Sequence, residues 1–270
     1  MSPDSVTLVE IVAVGRELLT GHTVDTNSAW LAASLVRLGG RVSRITVVDD
    51  EVAAIADALT AACGRAAGLI IPTGGLGPTA DDRTLAGLAQ AFARRLEEHP
   101  AALAFVARRY GELAASGAVG DGVLTPSRRK MAALPAGAQP LDNPIGSAPG
   151  VLLNAGDHTV IALPGVPAEM RAVFEAATSH VRARLGASRC VAEREIASGL
   201  GDESLMAAAL ERVAAAVPGV HLKSLATTFS PTCDLRIRLT ATGVDQAEAD
   251  SRLTQAVEHL AEELARLRRR

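Results

Sequence analysis

The chain has 270 residues, of which 48% are hydrophobic, and it carries a formal net charge of -3. This composition supports one large or two modest domains with packed cores, and it argues against wholesale disorder. The acidic balance and an aromatic content of only 2% argue against bulk attraction to nucleic acid and against base-stacking surfaces, so nucleic acid is not expected as a partner.

Strand and helix signals alternate along the first half of the chain. Apolar runs ending near glycines predict strands, and spacings of three and four predict helices. The predicted strands are 7–14, 41–48 and 68–72, and the predicted helices are 25–39, 50–63 and 83–97. Such alternation indicates a parallel sheet with helices on both faces. Ligands of these sheets bind beyond the carboxyl ends of the strands, which here are the loops beginning at Gly15, Asp49 and Thr73.

The second half of the chain is more mixed. Residues 98–150 contain a helical piece, a Gly-rich bend and a short helix in "PSRRKMAAL". Two short strands are predicted within 151–164, around the turn "AGD", and a helix is predicted over 167–185. Beyond Gly186 the order changes to strand, helix, strand, strand, helix, at 189–197, 202–217, 220–225, 233–242 and 245–268. We therefore expect two domains, 1–185 and 186–270.

The glycine-rich segment "TGGLGPTADD" (73–82) follows a buried strand. Glycines let backbone N–H groups turn toward an anion, and a following helix N-terminus adds a favourable field. The segment is neither a Walker A loop nor GxGxxG. Two interpretations stay open. Either Asp81 or Asp82 caps the next helix, or the loop holds phosphate while the carboxylates hold Mg²⁺.

A second acidic segment, "VVDDE" (47–51), ends the preceding strand. Its carboxylates either favour the next helix N-terminus or act in a site. Because neighbouring ends of parallel strands converge, Asp50 and Asp82 are candidates to share one metal ion and a water. Asp49 is the alternative ligand.

Three further loops lie at strand ends. "VGRELLTGHTVDTN" (14–27) contains Gly15, Glu17 and a polar group in which Asp25 or Thr26 is a candidate helix cap. "NPIGSAPG" (143–150) and "LPGVPAEM" (163–170) are Pro/Gly loops with few conformers, which suits both ligand positioning and ordinary turns. Glu169 is either an acid of the following helix start or a site residue.

The sequence also excludes several kinds of site and location. No histidine pair has metal-ligand spacing, and neither a zinc signature nor GxSxG is present. The cysteines Cys63, Cys190 and Cys233 are far apart, as is typical of free thiols in a reducing compartment. The first residues do not form a signal peptide, and no apolar stretch is long enough to span a bilayer. We expect a cytoplasmic protein with no membrane partner.

Four segments of the sequence together resemble the motifs of one known family, in the same order and at the same spacing. They are "VGRELLTGHTVDTNSAWLAASLVRLG", "TGGLGPTADDRT", "NPIGSAPGV" and "LPGVPAEM". This is the CinA family, the competence/damage-inducible proteins whose N-terminal region is a molybdopterin-binding-like domain of the MoaB/Mog type. The likeness covers about residues 7–175. Two tail segments, "SGLGDESLMAAALERV" and "LRIRLTATG", resemble the KH-like subdomain of the family.

The resemblance implies an α/β fold: a three-layer α/β/α domain with a mostly parallel sheet, followed by a small α+β KH-like subdomain. It implies ADP-ribose pyrophosphatase activity that needs Mg²⁺ or another divalent cation and is helped by K⁺, giving AMP and ribose 5-phosphate. The expected partner is a small-molecule nucleotide substrate. We also expect a homo-oligomer, a dimer, with the tail serving packing or dimerisation. Two alternatives remain, an adenylyltransferase acting on a pterin dithiolene and a non-catalytic nucleotide sensor or scaffold.

Carried over by motif, the catalytic residues are Asp82 and Asp50, and the metal ligands are Asp82 with Asp50 or Asp49. The predicted substrate-binding residues are Gly15, Glu17, Asp25, Asn27, Gly74, Gly75, Gly77, Thr79, Asn143, Gly146, Gly165, Pro167 and Glu169.

The chain also departs from the family pattern. "VVDDE" has two aspartates where one is common, and "SPTCD" (230–234) is unlike the usual segment. The tail has no GxxG loop, so the KH-like label predicts no RNA binding. Many CinA proteins continue into a domain that deamidates nicotinamide mononucleotide, an activity not expected of these 270 residues.

Overall fold

The computed structural model describes residues 7–186, 190–225 and 235–269. The segment "SPTCD", Cys233 and the start of the tail strand predicted over 233–242 lie outside these residues. Within the described chain, two compact units form. The first ends at Gly186 and the second follows it, with residues 37–39 grouped with the second unit. The sequence analysis placed the division between residues 185 and 186.

A mixed, mostly parallel sheet forms the centre of the first unit. The strands in its described residues are β1 Leu8–Val14, β2 Arg41–Val48, β3 Leu69–Thr73, β4 Leu96–Glu98, β5 Ala133–Pro135, β6 Gln139–Leu141, β7 Gly150–Ala155 and β8 His158–Ala162. The main sheet has the order β2-β1-β3-β8-β7-β6. β1 pairs in parallel with β2 and β3, and β3 pairs in parallel with β8. β7 runs antiparallel to β8 and to β6, as a hairpin around the predicted turn. The predicted sheet is confirmed.

Helices cover both faces of this sheet. The helices in the described residues of this unit are α1 Arg16–Leu19, α2 Thr26–Arg37, α3 Val52–Gly64, α4 Thr84–Ala91, α5 Pro100–Ala115, α6 Pro126–Lys130, α7 Pro167–Ala176 and α8 Thr178–Leu185. On one face, Leu59 of α3 and Leu88 of α4 pack in a core with Val12 of β1. Successive strand residues point to opposite faces, and the neighbouring Ile11 is also fully buried. Every residue of β3 is buried, which explains its unbroken apolar sequence.

Three predicted helices end differently in the structure. The short helix predicted in "PSRRKMAAL" ends at Lys130, and Ala133 and Leu134 belong to β5. α4 ends at Ala91 rather than near residue 97, because Ala93 takes a left-handed backbone conformation (φ 49°) and the chain then enters β4, which pairs with β5. The helix predicted over 167–185 is divided into α7 and α8. There the Thr178 hydroxyl donates to the carbonyl oxygen of Phe174 at 3.1 Å, and such bonds bend helices.

The second unit has the predicted βαββα order. Its elements are β9 Cys190–Ala197, α9 Glu203–Ala216, β10 Val220–Leu225, β11 Arg236–Gly243 and α10 Gln246–Leu267. The strands form an antiparallel sheet in the order β10-β11-β9. Met206 of α9 and Leu260 of α10 pack against Ile237 of β11. The other face of the sheet is polar and carries the Arg238–Glu195 ion pair at 2.6 Å.

None of the helices in the described part of the chain combines the length and the apolarity that a bilayer crossing requires.

Candidate functional site

The glycine-rich loop leads from the end of β3 to the start of α4. Gly74 and Gly75 have φ values of +104° and +64°, a region that side chains rarely adopt. A Cβ at Gly74 would also strike the carbonyl oxygen of Val14, and one at Gly75 would strike the Thr84 hydroxyl. That hydroxyl donates to the Gly74 carbonyl oxygen at 2.7 Å, and the Thr84 amide donates to the Gly75 carbonyl oxygen at 3.1 Å. The loop is thus held tightly against the start of α4.

Only part of this loop is open to a ligand. The Gly74 amide donates to the Leu163 carbonyl oxygen at 3.0 Å, and the Thr79 amide donates to Asp82 Oδ2 at 2.8 Å. In contrast, the hydrogen bonds of the described residues leave the amides at positions 75–77 without an acceptor. The sequence suggested that amides along the whole loop could bind phosphate. In the structure the amides available for this are those at positions 75–77.

Asp81 and Asp82 both bind Thr79. Its hydroxyl lies at hydrogen-bond distance from both carboxylates, 2.6 Å from Asp82 Oδ2. The hydrogen bond from this hydroxyl is the main cause that lowers the pKa of Asp81. The N-cap position of α4 is Arg83, without a side-chain cap. The capping interpretation of Asp81 or Asp82 is therefore wrong, because both carboxylates close the turn that precedes the helix.

A cavity of about 320 Å³ brings the glycine loop together with two Pro/Gly loops. Its lining includes five of the predicted site residues: Gly75, Gly77, Asp82, Gly165 and Glu169. The open amides and two carboxylates are therefore neighbours, although Asp82 and Glu169 lie far apart in the sequence.

Asn143 and Gly146 build the wall behind this cavity. Asn143 is fully buried, and its Nδ2 donates to Glu169 Oε2 and to the Ala148 carbonyl oxygen, both at 2.8 Å. Its Oδ1 accepts from the Gly146 amide at 2.8 Å. Gly146 lies so close to the Glu169 carboxylate that a Cβ would overlap it. These two predicted residues position Glu169 and do not line the cavity.

A second cavity, of about 110 Å³, adjoins the end of β1. Its lining includes six predicted residues: Glu17, Asp25, Asn27, Gly74, Gly165 and Pro167. Asp25 Oδ1 accepts from the Ser28 amide at 2.9 Å, which confirms it as the cap of α2. Asn27 Nδ2 donates to the Gly165 carbonyl oxygen at 2.7 Å. Its Oδ1 is buried and lacks a hydrogen-bond partner among the described residues.

The acids at the end of β2 have protein partners. Arg16 binds Asp49 through two nitrogens, at 3.0 and 3.1 Å, and its amide donates to Asp50 Oδ2 at 3.1 Å. The hydrogen bond from Arg16 holds the pKa of Asp49 below its ordinary value. Neither aspartate is part of the lining of the two cavities above. Gly15 is likewise outside both linings, and its amide donates to the Val48 carbonyl oxygen at 3.1 Å.

The shared metal site of Asp50 and Asp82 stays a prediction. Over residues 7–186, 190–225 and 235–269, no group of three or more His, Cys, Asp or Glu side chains is arranged to hold a metal ion. Asp82 and Glu169 both line the larger cavity, and carboxylates are the side chains that commonly hold Mg²⁺ together with waters and substrate phosphates.

Lys130 is a residue of this region that the sequence reasoning passed over. Its ammonium donates to the Thr79 carbonyl oxygen, and it helps to line a third cavity of about 110 Å³, which also includes Gly77, Asp82 and Arg83. Burial lowers the pKa of Lys130, against the opposing effect of Asp82. The composition of the chain offered one signal for this residue. Lys130 and Lys223 are the only lysines of the sequence, and the other long basic side chains are arginines.

Comparison with known proteins places the chain in a family. Residues 10–183 match the family described as "Probable molybdopterin binding domain". A protein of Aeropyrum pernix is 40% identical over 244 residues, which cover 89% of this chain and 88% of that protein. A CinA-like protein of Parasynechococcus marenigrum is 40% identical over 265 residues, which cover 97% of this chain but only 58% of that protein.

A solved structure agrees with these matches. The crystal structure of CinA from Thermoplasma acidophilum, described as a protein of unknown function, is 37% identical with a TM-score of 0.59. The match covers 65% of this chain and 99% of that one. The four motifs, the mostly parallel sheet and these likenesses agree, and the chain belongs to the CinA family, with a molybdopterin-binding-type domain of the MoaB/Mog kind.

Proposed function

We propose that the first unit is a metal-dependent hydrolase that cleaves the pyrophosphate bond of ADP-ribose or a related nucleotide, releasing AMP and ribose 5-phosphate. The observation that carries this proposal is a single cavity lined by the loop with the open amides and by the carboxylates of Asp82 and Glu169. Amide donors suit phosphate oxygens, and carboxylates suit the cation that accompanies a nucleotide.

The backbone of the glycine loop would hold the pyrophosphate. The amides at positions 75–77 donate to phosphate oxygens, and the N-terminus of α4 adds a favourable field. The smaller cavity would hold a sugar. There the carboxylates of Asp25 and Glu17, which line this cavity, supply acceptors for sugar hydroxyls.

Asp82 and Glu169 are the groups that would hold Mg²⁺, with K⁺ as an accessory ion. When bound, the metal lowers the pKa of a coordinated water and neutralises charge on the phosphate oxygens. The chain itself orients both carboxylates, since Thr79 fixes Asp82 Oδ2 and Asn143 fixes Glu169 Oε2. Their positions are therefore set before a ligand arrives, which is the condition for efficient electrostatic stabilisation.

The test is release of AMP by purified protein with ADP-ribose, Mg²⁺ and K⁺. Asp82→Asn is expected to lower kcat on the order of 100-fold while leaving the melting temperature almost unchanged, since the amide oxygen still accepts from Thr79. Asp81→Asn is the matched control. It changes a carboxylate that binds the same hydroxyl but is outside the lining of the cavity, so it should retain most activity. A fully active Asp82→Asn enzyme would show the assignment to be wrong.

The same assay separates the two alternatives. Saturable binding of ADP-ribose without AMP release would indicate a nucleotide sensor. ATP consumption that depends on an added pterin dithiolene would indicate an adenylyltransferase that uses the same loop.

A further inference from the structure

We propose that Lys130 is a phosphate-binding residue, whose ammonium completes the anion site begun by the open amides of the glycine loop. The inference rests on the proposed function for the ligand class, a compound with a pyrophosphate group. It adds a residue from α6 that no motif of the sequence indicated.

The position of Lys130 is the first argument. α6 ends at Lys130, and the Lys130 ammonium donates to the carbonyl oxygen of Thr79, within the glycine loop. The cavity that Lys130 helps to line also has Gly75, Gly77 and Asp82 in its wall. These three residues line the 320 Å³ cavity as well. Lys130 thus borders the same loop as the proposed pyrophosphate, since both cavities share these three lining residues.

The incomplete hydrogen bonding of Lys130 is the second argument. A lysine ammonium has three donors, and among the described residues the Lys130 ammonium donates to the Thr79 carbonyl oxygen. The described carboxylates form no ion pair with it, and its side chain is half-buried. Asp82 and Asp81 act on Lys130 through their charge and raise its pKa, but neither accepts a hydrogen bond from its ammonium in the described residues. The amides at positions 75–77 are also without acceptors. A pyrophosphate bound along the loop would offer one phosphate to the amides and the other to Lys130.

The neighbours of Lys130 on α6 provide the contrast. Arg128 pairs with Asp121 at 2.9 Å, and Arg129 pairs with Glu98 at 2.7 Å. These two arginines therefore anchor the helix to its surroundings, whereas Lys130 has no such carboxylate partner in the described chain. Lysine also differs chemically from arginine. Its ammonium is a compact point charge with three donors, which suits a phosphate oxygen.

The experiment measures binding of inorganic pyrophosphate to the full chain by calorimetry. Lys130→Met, which keeps the apolar stem and removes the charge, is expected to weaken affinity at least tenfold and to reduce the dependence of affinity on salt concentration. Lys130→Arg, which keeps the charge, is expected to recover most of the affinity. Lys223→Met, at the other lysine of the chain, is the control and should bind as the wild type does. Lys130→Gln serves as a second neutral variant if Lys130→Met does not fold.

The outcomes separate this inference from the proposed function. A folded, neutral variant at position 130 that binds pyrophosphate with wild-type affinity overturns the inference, whatever its hydrolytic rate. Equal losses in Lys130→Arg and Lys130→Met contradict a role for the charge. Wild-type protein that does not bind pyrophosphate also overturns the inference. If pyrophosphate binding depends on Lys130 but the wild type releases no AMP from ADP-ribose, the hydrolase proposal fails and the phosphate-binding role of Lys130 stands.

Discussion

At the scale of single residues, the site is organised by polar side chains that hold other side chains in place. Thr79 binds Asp82, Asn143 binds Glu169, and Arg16 binds Asp49. The first two pairs orient carboxylates that line the larger cavity. The third pair joins the start of α1 to the end of β2. Each arrangement has a distinct consequence for activity or stability.

Gly146→Ala is expected to displace Glu169. Its Cβ would overlap the Glu169 carboxylate and approach Asn143 Nδ2. The carboxylate must then rotate out of its hydrogen bond, and we expect a fall in kcat/KM on the order of tenfold to 100-fold, as for groups that orient a metal ligand. Overpacking should also destabilise the fold by about 1–3 kcal/mol. Gly120→Ala is the control, since a Cβ there meets nothing within 4 Å. Unchanged kcat/KM in Gly146→Ala would argue against a role for Glu169.

Asp49 is expected to contribute to acid sensitivity. The hydrogen bond from Arg16 lowers the pKa of Asp49 in the folded chain, so the carboxylate stabilises the fold above its unfolded pKa, about 3.9. This stabilisation is lost as the pH falls through the lower, folded value. The free energy of unfolding of Asp49→Asn should therefore change less than that of the wild type between about pH 5 and pH 2. Urea unfolding at several pH values measures this.

The control for this prediction is the Arg16→Met background. Without the guanidinium, adding Asp49→Asn should alter the pH dependence little. Identical pH profiles for the wild type and Asp49→Asn would contradict the assigned role of the pair.

At the scale of elements, the helices of the first unit follow local chemistry closely. Asp25 caps α2, Thr125 caps α6, and Pro100 opens α5 after His99. Where a helix departs from its predicted length, the cause is a specific event, such as the left-handed backbone at Ala93. The element ends are also where the site residues lie, so the loops and caps decide the geometry of the cavities.

Gly111→Ala is expected to stabilise the protein. Gly111 is an exposed residue inside α5, and a Cβ there meets nothing within 4 Å. Alanine is favoured over glycine in a helix interior by about 0.5–1 kcal/mol. Thermal or urea unfolding should show this increase. Gly137→Ala is the matched contrast. Its surroundings are equally open, but its φ is +84°, so the same substitution should destabilise. A gain at Gly137 or a loss at Gly111 would contradict the argument.

At the scale of the whole molecule, each of the two units has its own core. Leu59, Leu88 and Val12 belong to the core of the first unit, whereas Met206 and Ile237 belong to that of the second. The cavities described above are all lined by residues of the first unit. Among the described residues, those of the second unit therefore do not line these cavities.

We propose that the second unit supports homodimer formation. Ending the chain after Gly186 is expected to convert a dimer into a monomer, measured by analytical ultracentrifugation, because the residues that hold the copies together are removed. The shortened chain should retain its structure, since the core of the first unit is complete within it. Circular dichroism provides that check. A folded, shortened chain with the same oligomeric state as the full chain would rule out this role.

The sequence by itself determined the main strands and helices of both units and their order, but not the short strands β4, β5 and β6. The periodicity of apolar residues indicates which face of an element is buried, and glycines and prolines indicate the shape of the backbone. Both signals come from residues close together in the sequence. The tertiary structure alone decided which side chains meet. Glu169 lines the same cavity as Asp82. Arg16 forms an ion pair with Asp49, and Lys130 donates a hydrogen bond to the Thr79 carbonyl oxygen. The physical reason is that a polar contact between distant segments leaves no periodic trace in the sequence of either partner.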